Sequence, residues 1–234
     1  MRTSQRSFYK IFAVIALTAL ALSGTNSRSS PVPDDVMAVE GTASKDGQFC
    51  VGEKRTVDQR FYRFIDCSSK QELGRVFPEN QEGEISNVHM LSSWSKDNTR
   101  VALLVYYGTK LNEVLVFARN TSGAFEPVEF EWPDPVSVWE RKNKTKWNLR
   151  YATGYGENSL GPWISENTIR LIAGEAKESD GAVRHILAPF RLVVRGKRGY
   201  VRDIKVLGVL SDQEANGYLH KWGEKFWRFP EDRQ

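Results

Sequence analysis

Residues 94–105 hold the stretch that decides the fold: the polar segment Trp94-Ser95-Lys96-Asp97-Asn98 leads directly into Thr99-Arg100-Val101-Ala102-Leu103-Leu104-Val105. Asp and Ser side chains bond the backbone of a tight turn, and Asn accepts a positive φ, so the first segment is typical of a turn. The apolar run that follows is typical of a buried strand. The stretch therefore predicts a turn that opens a strand of a β structure.

The same pattern occurs twice more in the chain. Ser44-Lys45-Asp46-Gly47 leads into Gln48-Phe49-Cys50-Val51, and a degenerate copy, Trp163-Ile164-Ser165-Glu166-Asn167, leads into residues 168–172. Each copy is followed by a second strand, a second polar turn and a third strand. The second strands are predicted at 60–67, 112–119 and 190–195, and the third strands at 73–77, 125–130 and 200–206. The sequence thus predicts an all-β, mainly antiparallel fold of three β units.

This order of turns and strands resembles the blades of bacterial β-propellers of the TolB type, over roughly residues 44–206. Blades of that family carry a Ser-Pro-Asp-Gly turn; here Lys45, Lys96 and Glu166 stand at the proline position, and only Gly47 keeps the glycine. The copies are 51 and then 70 residues apart, and three units are too few to close a ring. The resemblance therefore implies three propeller-blade-like units in a partial or decorated arrangement, with an antiparallel β-sandwich as the alternative.

Residues 1–23 are typical of a secretory signal peptide. Three basic residues precede an uncharged apolar run at 11–22, and small or polar residues follow it. The run is 12 residues long, whereas a membrane-spanning helix needs about 20, so we expect cleavage rather than a permanent anchor. The basic residues are Arg2, Arg6 and Lys10.

Cleavage is expected after Ala21 or after Ser23, since each ends a pattern of small residues. The remaining chain divides into a flexible leader at 24–36 and a single β-rich domain at 37–234. This organisation predicts a secreted or periplasmic protein without a stable membrane span.

Removal of the signal peptide changes the charge of the chain. Three of the 33 basic residues and none of the 29 acidic residues lie in it, so the net charge falls from +4 to +1. A nearly neutral chain lacks the basic excess that counterion-driven binding of nucleic acid requires. We therefore expect no nucleic-acid partner.

The two cysteines, Cys50 and Cys67, are expected to form a disulfide. An exported chain reaches an oxidising compartment, and a hairpin of the strands at 48–54 and 60–67 places the two residues opposite each other. Two separately buried thiols are the alternative. Their spacing is not C-x-x-C, which argues against redox catalysis.

The C-terminal segment changes period and predicts a helix at about 211–227. Ser211 followed by Glu214 is a capping-box signature. We expect one helical stripe to pack against the sheets, with a partner-binding stripe as the alternative. The stripe consists of Ala215, Tyr218, Leu219, Trp222 and Phe226.

The sequence contains no template for catalysis, a metal or a cofactor. His89, His185 and His220 are isolated, without a second ligand at metal spacing. No phosphate-binding loop and no dinucleotide fingerprint is found. We therefore expect no catalytic residues and no cofactor.

Charged residues are concentrated at 129–146. Glu129 and Glu131 share one face of a predicted strand, and after a turn at 133–135 three lysines share a face of the next. A pair of carboxylates can hydrolyse a glycoside, but we expect these groups to form ordinary cross-strand ion pairs. The lysines are Lys142, Lys144 and Lys146.

The candidate binding site is the loop at 150–163. Its three glycines and one proline predict irregular backbone, and irregular loops on a rigid sheet commonly carry recognition. The residues suited to a sugar or a protein are Tyr151, Tyr155, Glu157, Asn158 and Trp163. Trp163 also occupies the place of Trp94 in the repeat, which predicts a position in the core.

These observations predict an exported, non-catalytic binding or scaffold protein that recognises a protein or a polysaccharide through loops. One alternative is an inhibitor or immunity-type protein directed against an extracellular hydrolase. A hydrolase that uses its own carboxylates is a third possibility.

Overall fold

The computed structural model describes residues 36–56, 59–81, 88–107, 111–149, 154–156 and 158–223. Within these ranges the chain forms three antiparallel β-sheets and two α-helices. The prediction of an all-β fold with a helix at its C-terminal end is confirmed. The predicted signal peptide and most of the leader lie outside the described residues.

The three sheets follow one another along the chain. The first contains β1 (Val36–Ala38), β2 (Phe49–Arg55), β3 (Arg60–Asp66) and β4 (Glu72–Arg75). The second contains β5 (Val88–Trp94), β6 (Arg100–Tyr107), β7 (Leu111–Arg119) and β8 (Phe125–Pro127). The third contains β9 (Gly154–Gly156), β10 (Ser159–Ser165), β11 (Thr168–Ser179), β12 (Ala182–Arg195), β13 (Arg198–Arg202) and β14 (Val209–Ser211).

In the first two sheets the order of the strands in space is their order in the chain. In the third sheet β10, β11, β12 and β13 are consecutive, β9 also pairs with β11, and β14 also pairs with β12. The helices are α1 (Pro135–Asn143) and α2 (Asp212–Gly223), and a 3₁₀ turn covers Glu79–Gln81. Each of the three predicted units therefore occupies a sheet of its own.

The sheets are stacked, with the second in the middle. β6 is buried on both faces: Val101 and Leu103 contribute to a first core against the first sheet, and Ala102 and Leu104 to a second core against the third sheet. All four side chains are 0% exposed. Burial on both faces explains why β6 is a continuous apolar run rather than an alternating one.

The polar turn before β2 is closed by its own side chains. The Ser44 hydroxyl donates to Asp46 Oδ1 at 2.6 Å and accepts the N–H of Phe49 at 2.9 Å. Gly47 has a φ of 74°, a conformation that glycine adopts without steric cost. The turn therefore depends on the residue types that the sequence pattern singled out.

The turn before β6 repeats this arrangement. The Ser95 hydroxyl donates to Asp97 Oδ1 at 2.6 Å and accepts the N–H of Arg100 at 2.9 Å. Asn98 takes the place of the glycine, with a φ of 54°. The turn before β11 is shorter, because Ser165 pairs directly with Thr168. The third copy of the motif is thus degenerate in structure as well as in sequence.

Two indole groups tie neighbouring sheets together. Trp94 Nε1 donates to the carbonyl of Thr42 at 3.0 Å, and Trp163 Nε1 donates to the carbonyl of Ser93 at 2.8 Å. Each acceptor lies two residues before the serine that opens its own turn. The same contact therefore joins the second sheet to the first and the third sheet to the second.

The region at 129–146 differs from the prediction of two charged strands. The ladder of the second sheet ends at Pro127, and α1 begins after Asp134, whose carboxylate accepts the N–H of Ser137 at 3.0 Å. Pro133 and Pro135 cannot donate to a strand ladder, whereas a proline at the first position of a helix is well tolerated. The predicted cross-strand ion pairs are therefore wrong.

The three lysines of this region follow the helix. Lys142 lies within α1, and Lys144 ends it with a φ of 53°. Lys146 forms an ion pair with Glu140, with 3.1 Å between Nζ and Oε2. None of these contacts involves Glu129 or Glu131, the predicted acidic partners, because the chain leaves the second sheet before it reaches the lysines.

Helix α2 packs on the third sheet, as predicted. The capping box is formed: the Ser211 N–H donates to Glu214 Oε2 at 2.8 Å, and the Glu214 N–H donates to Ser211 Oγ at 3.4 Å. Ala215 and Leu219 are buried against Ile172 and other residues of the sheet. The Trp222 side chain and Phe226 lie outside the described residues. Among the described residues, no helix is both long and apolar enough to cross a membrane.

Cys50 and Cys67 form a disulfide, as predicted, with their Cα atoms 5.8 Å apart. The register differs from the expected one, because the residue opposite Cys50 is Ile65 rather than Cys67. The Cys67 N–H donates to the carbonyl of Gln48 at 2.8 Å, just beyond the last paired residues of the ladder. The bridge therefore closes the end of the β2–β3 hairpin diagonally.

Candidate functional site

The structure describes only part of the candidate loop at 150–163, and there the prediction of irregular backbone is wrong, because β9 covers Gly154–Gly156 and β10 begins at Ser159. Tyr151 and Glu157 lie outside the described residues, and Tyr155 is placed in β9, opposite Ala176. The other two candidates are occupied in holding the fold together: the Asn158 N–H donates to Asn112 Oδ1 at 2.7 Å, and Trp163 packs against the second core. The structure therefore gives Trp163 the core position that its place in the repeat predicted.

A buried histidine and an aspartate lie together on the third sheet. His185 is 7% exposed, and its Nε2 lies 2.5 Å from Asp212 Oδ1. A serine beside them would make a nucleophilic triad, and Ser159 is a buried serine of the same sheet. However, Ser159 is opposite Ile172, whereas His185 is opposite Ala176, four residues or about 13 Å further along β11. The three side chains do not assemble.

The charged groups near the long hairpin also have structural partners. Burial raises the pKa of Glu175, and Lys177 Nζ lies 3.4 Å from its Oε1. The same ammonium lies 4.4 Å from the ring centroid of Trp147. In the part of the chain that the structure describes, no three His, Cys, Asp or Glu residues are grouped to hold a metal ion. This hairpin end is therefore a packed ion pair rather than an open site.

The surface that stands out is the outer face of the third sheet, turned away from the second core. Side chains alternate along a strand, and Ile169, Leu192 and Val201 face the second core. Their neighbours in sequence therefore point outward. The outward-facing residues of β11, β12 and β13 include Arg170, Arg191, Arg195, Arg198, Tyr200 and Arg202, all of them exposed. We call these six residues the arginine face.

The register of the strands brings these arginines into contact range. Arg170, Arg191 and Arg202 are directly opposite one another on β11, β12 and β13. Arg195 and Arg198 form a second opposed pair at the end of the β12–β13 hairpin. Directly opposed residues have Cβ atoms roughly 5 Å apart, so the arginine side chains of each row start from neighbouring positions on the sheet.

Few carboxylates compensate this charge. Arg191 pairs with Asp203, whose Oδ2 accepts from its Nε at 2.5 Å. Within the described ranges, Arg195, Arg198 and Arg202 have no ion pair with an acidic side chain. Arg195 lies near the Tyr200 ring, with 5.8 Å between Cζ and the ring centroid. The arginine face therefore keeps an excess of positive charge.

The excess positive charge lowers the stability of the folded protein when no partner is bound. Like charges directly opposite each other destabilise a sheet, and two unit charges about 6 Å apart in water repel by about 0.7 kcal/mol. The surface would be relieved of that repulsion by an anion placed over it. Because a guanidinium offers paired donors, carboxylates and phosphates fit it in a bidentate manner.

The sequence alone did not reveal this surface. Arg170, Arg191 and Arg202 are separated by 21 and 11 residues in the chain, and only Arg202 lies in a segment rich in basic residues, 195–202. The net charge of +1 expected after removal of the predicted signal peptide is a sum over the whole chain, in which acidic residues elsewhere offset the arginines of this face. The alternation of arginines with apolar residues along β12 and β13 was the available signal, and it becomes informative once the register is known.

The functional role of the arginine face is inferred from the positions and charges of its residues. The chain matches no family model, no curated protein and no solved structure. The arginine face and the signal peptide predicted from the sequence are therefore the basis for inferring a function.

Proposed function

We propose that the protein is an exported, non-catalytic binding protein that holds an anionic partner on the arginine face. The observation that carries the proposal is that Arg195, Arg198 and Arg202 are exposed on this face and have no acidic partner among the described residues, with Arg195 and Arg198 directly opposed. A row of like charges costs stability without a ligand and gains attraction with one. A protein or a polysaccharide with acidic groups is the partner that this charge selects.

Two features support action outside the cytoplasm. The N-terminal sequence has the charged, apolar and small-residue regions of a signal peptide. The disulfide between Cys50 and Cys67 suits an oxidising compartment. A secreted or periplasmic location follows from the two together.

The proposed surface is a sheet face rather than the loop that the sequence favoured. Asn158 and Trp163 are engaged in contacts that hold the second and third sheets together. The arginine side chains, in contrast, extend from a rigid sheet whose inner face is fully packed. A rigid platform keeps the charges at fixed spacing, which lowers the entropy cost of binding an extended partner.

The test measures binding to an immobilised sulfated polyanion as a function of salt. The variant Arg195→Gln/Arg198→Gln/Arg202→Gln is expected to lose affinity by about tenfold or more and to show a shallower salt dependence. The control Lys45→Gln/Arg141→Gln/Lys142→Gln removes the same charge from exposed positions outside the arginine face. Equal losses in the two variants, or no loss in either, would contradict the proposal.

A further inference from the structure

We infer that the anionic partner is an acidic polysaccharide, in which one sugar ring stacks on Tyr200 while its acidic neighbours reach the arginines on either side. This inference rests on the proposed function and names the ligand of the same surface. It is carried by the position of one aromatic side chain within the arginine face.

Tyr200 lies at the centre of the charged surface. It is opposite Val193, between the Arg191–Arg202 pair and the Arg195–Arg198 pair. Its side chain is 42% exposed, one of the most exposed large hydrophobic residues described. Two residues along a strand span about 6.7 Å, so each arginine pair begins roughly that far from the tyrosine, and the pairs are about 13 Å apart.

This spacing selects an extended ligand. A single small anion would occupy one arginine pair and leave the tyrosine and the other pair unused. An occupant of the whole surface needs acidic groups at both ends and a flat, partly apolar unit between them. A tyrosine ring presents an apolar face together with a polar edge, which suits the C–H face and the hydroxyl groups of a sugar.

A chain of uronic acid sugars meets these requirements. It carries carboxylates at regular intervals, and each carboxylate accepts two hydrogen bonds from one guanidinium. The C–H groups of each sugar ring form an apolar face, while its carboxylate lies at the edge of the ring. Arg195, which lies near the tyrosine ring, would turn toward a carboxylate while the sugar takes its place beside the ring.

Nucleic acid and membranes fit the arginine face less well. Surfaces for single-stranded nucleic acid stack successive bases on several aromatic side chains, whereas the arginine face has Tyr200 alone. A membrane-bound surface buries a wide apolar face among the lipids, whereas here arginines surround a single ring. The polysaccharide is therefore the occupant that the observations favour.

The experiment uses the mature full-length protein and measures affinity for a polyuronate, for its neutral methyl ester and for inorganic polyphosphate. We expect the polyuronate to bind and the methyl ester not to bind. The variant Tyr200→Ala should weaken polyuronate binding by about tenfold and change polyphosphate binding by less than about twofold. Tyr200→Phe keeps the ring and should restore polyuronate binding.

Two other probes distinguish the competing partners: a single-stranded oligonucleotide, and vesicles of mixed zwitterionic and anionic phospholipids. Two results would overturn the inference of a polysaccharide partner. One is tighter binding of either probe than of the polyuronate, and the other is polyuronate binding that is unchanged in Tyr200→Ala. Such a result leaves the proposed function standing as long as the arginine variant still loses affinity. If no polyanion distinguishes the wild type from the arginine variant, the proposed function itself fails. Circular dichroism and urea unfolding confirm that each variant is folded.

Discussion

The first and third sheets are the two outer layers of the same stack, and their outer faces have opposite character. Each sheet packs one face against the second sheet. On the other face of the first sheet, Cys50 and Ile65 are 1% exposed, and a disulfide closes the end of the hairpin. On the other face of the third sheet, α2 buries Ile172 and Leu187, and exposed arginines oppose one another on the part of the face that they occupy. The outer face of the first sheet is thus closed by a disulfide, whereas the outer face of the third sheet also carries arginines, of which Arg191 alone has a described acidic partner among Arg191, Arg195, Arg198 and Arg202.

The largest expected loss of stability comes from a substitution on the inner face of the third sheet. Leu192→Ala removes a side chain that is 0% exposed in the second core, and deletions of this kind cost about 2 to 5 kcal/mol. Urea unfolding measures the loss. The control is Arg195→Ala on the outer face of the same strand, which should change stability by no more than about 0.5 kcal/mol. Similar losses in both variants would mean that the two faces are not distinct.

The next largest loss of stability is expected when the disulfide of the first sheet is removed. Cys50→Ala/Cys67→Ala is expected to lower the free energy of unfolding by about 3 kcal/mol, because the unfolded chain is no longer restricted by a closed loop. Urea unfolding with and without a reductant measures this loss, and the reductant should affect the wild type alone. Polyanion binding at a temperature where both proteins are folded should be equal. A large loss of binding would show that the outer layers are coupled.

A smaller effect is expected from a substitution on the arginine face that should raise stability and weaken binding. Arg198→Glu converts the opposed Arg195–Arg198 pair into an ion pair, which should stabilise the sheet by about 0.2 to 1 kcal/mol. The same substitution should weaken polyanion binding. Thermal unfolding and binding are measured on one preparation, with Lys45→Glu as the control of equal charge change. The arginine face would lose its assigned role if both quantities moved in the same direction.

The smallest effect concerns the pH response of the first sheet. The pKa of Asp66 is lowered to about 2 because its carboxylate accepts the N–H of Ser69 at 2.9 Å and the hydroxyl of Ser68 at 2.7 Å. The folded protein therefore favours the ionised form, and this contribution is present above the unfolded value of 3.8. It is lost as the pH falls from 3.8 towards about 2.

Nuclear magnetic resonance titration of Asp66 is expected to give a midpoint near 2. Asp66→Asn should remove this part of the acid dependence of stability. A midpoint at the ordinary aspartate value would contradict the hydrogen bonding described for this turn.

The sequence predicted what depends on neighbouring residues. Turns such as Ser95–Asn98 are fixed by side chains within five positions of one another, and the strands after them were therefore located. Strand β5 and helix α1 were missed, because β5 is recognised by its pairing with β6, and the charged pattern of α1 also fits a strand. The resemblance to TolB-type blades stays a prediction.

The candidate site could not be found in the same way. The loop at 150–163 was conspicuous in sequence because its glycines and aromatic residues are adjacent. The arginine face depends on a register that brings Arg170 beside Arg191 and Arg191 beside Arg202. Register is set by the packing of the inner face, through residues such as Leu192, and not by the arginines themselves.

The two indole contacts give the stack a direction along which it would extend. Each sheet offers a backbone carbonyl to the tryptophan of the next, from Thr42 to Trp94 and from Ser93 to Trp163. A further sheet of the same kind would have to displace α2, whose Ala215 and Leu219 pack on this face, and to desolvate guanidinium groups such as Arg202, which is costly without acidic partners. The arginines therefore act as a terminal cap, like the polar outer repeats that end solenoid proteins.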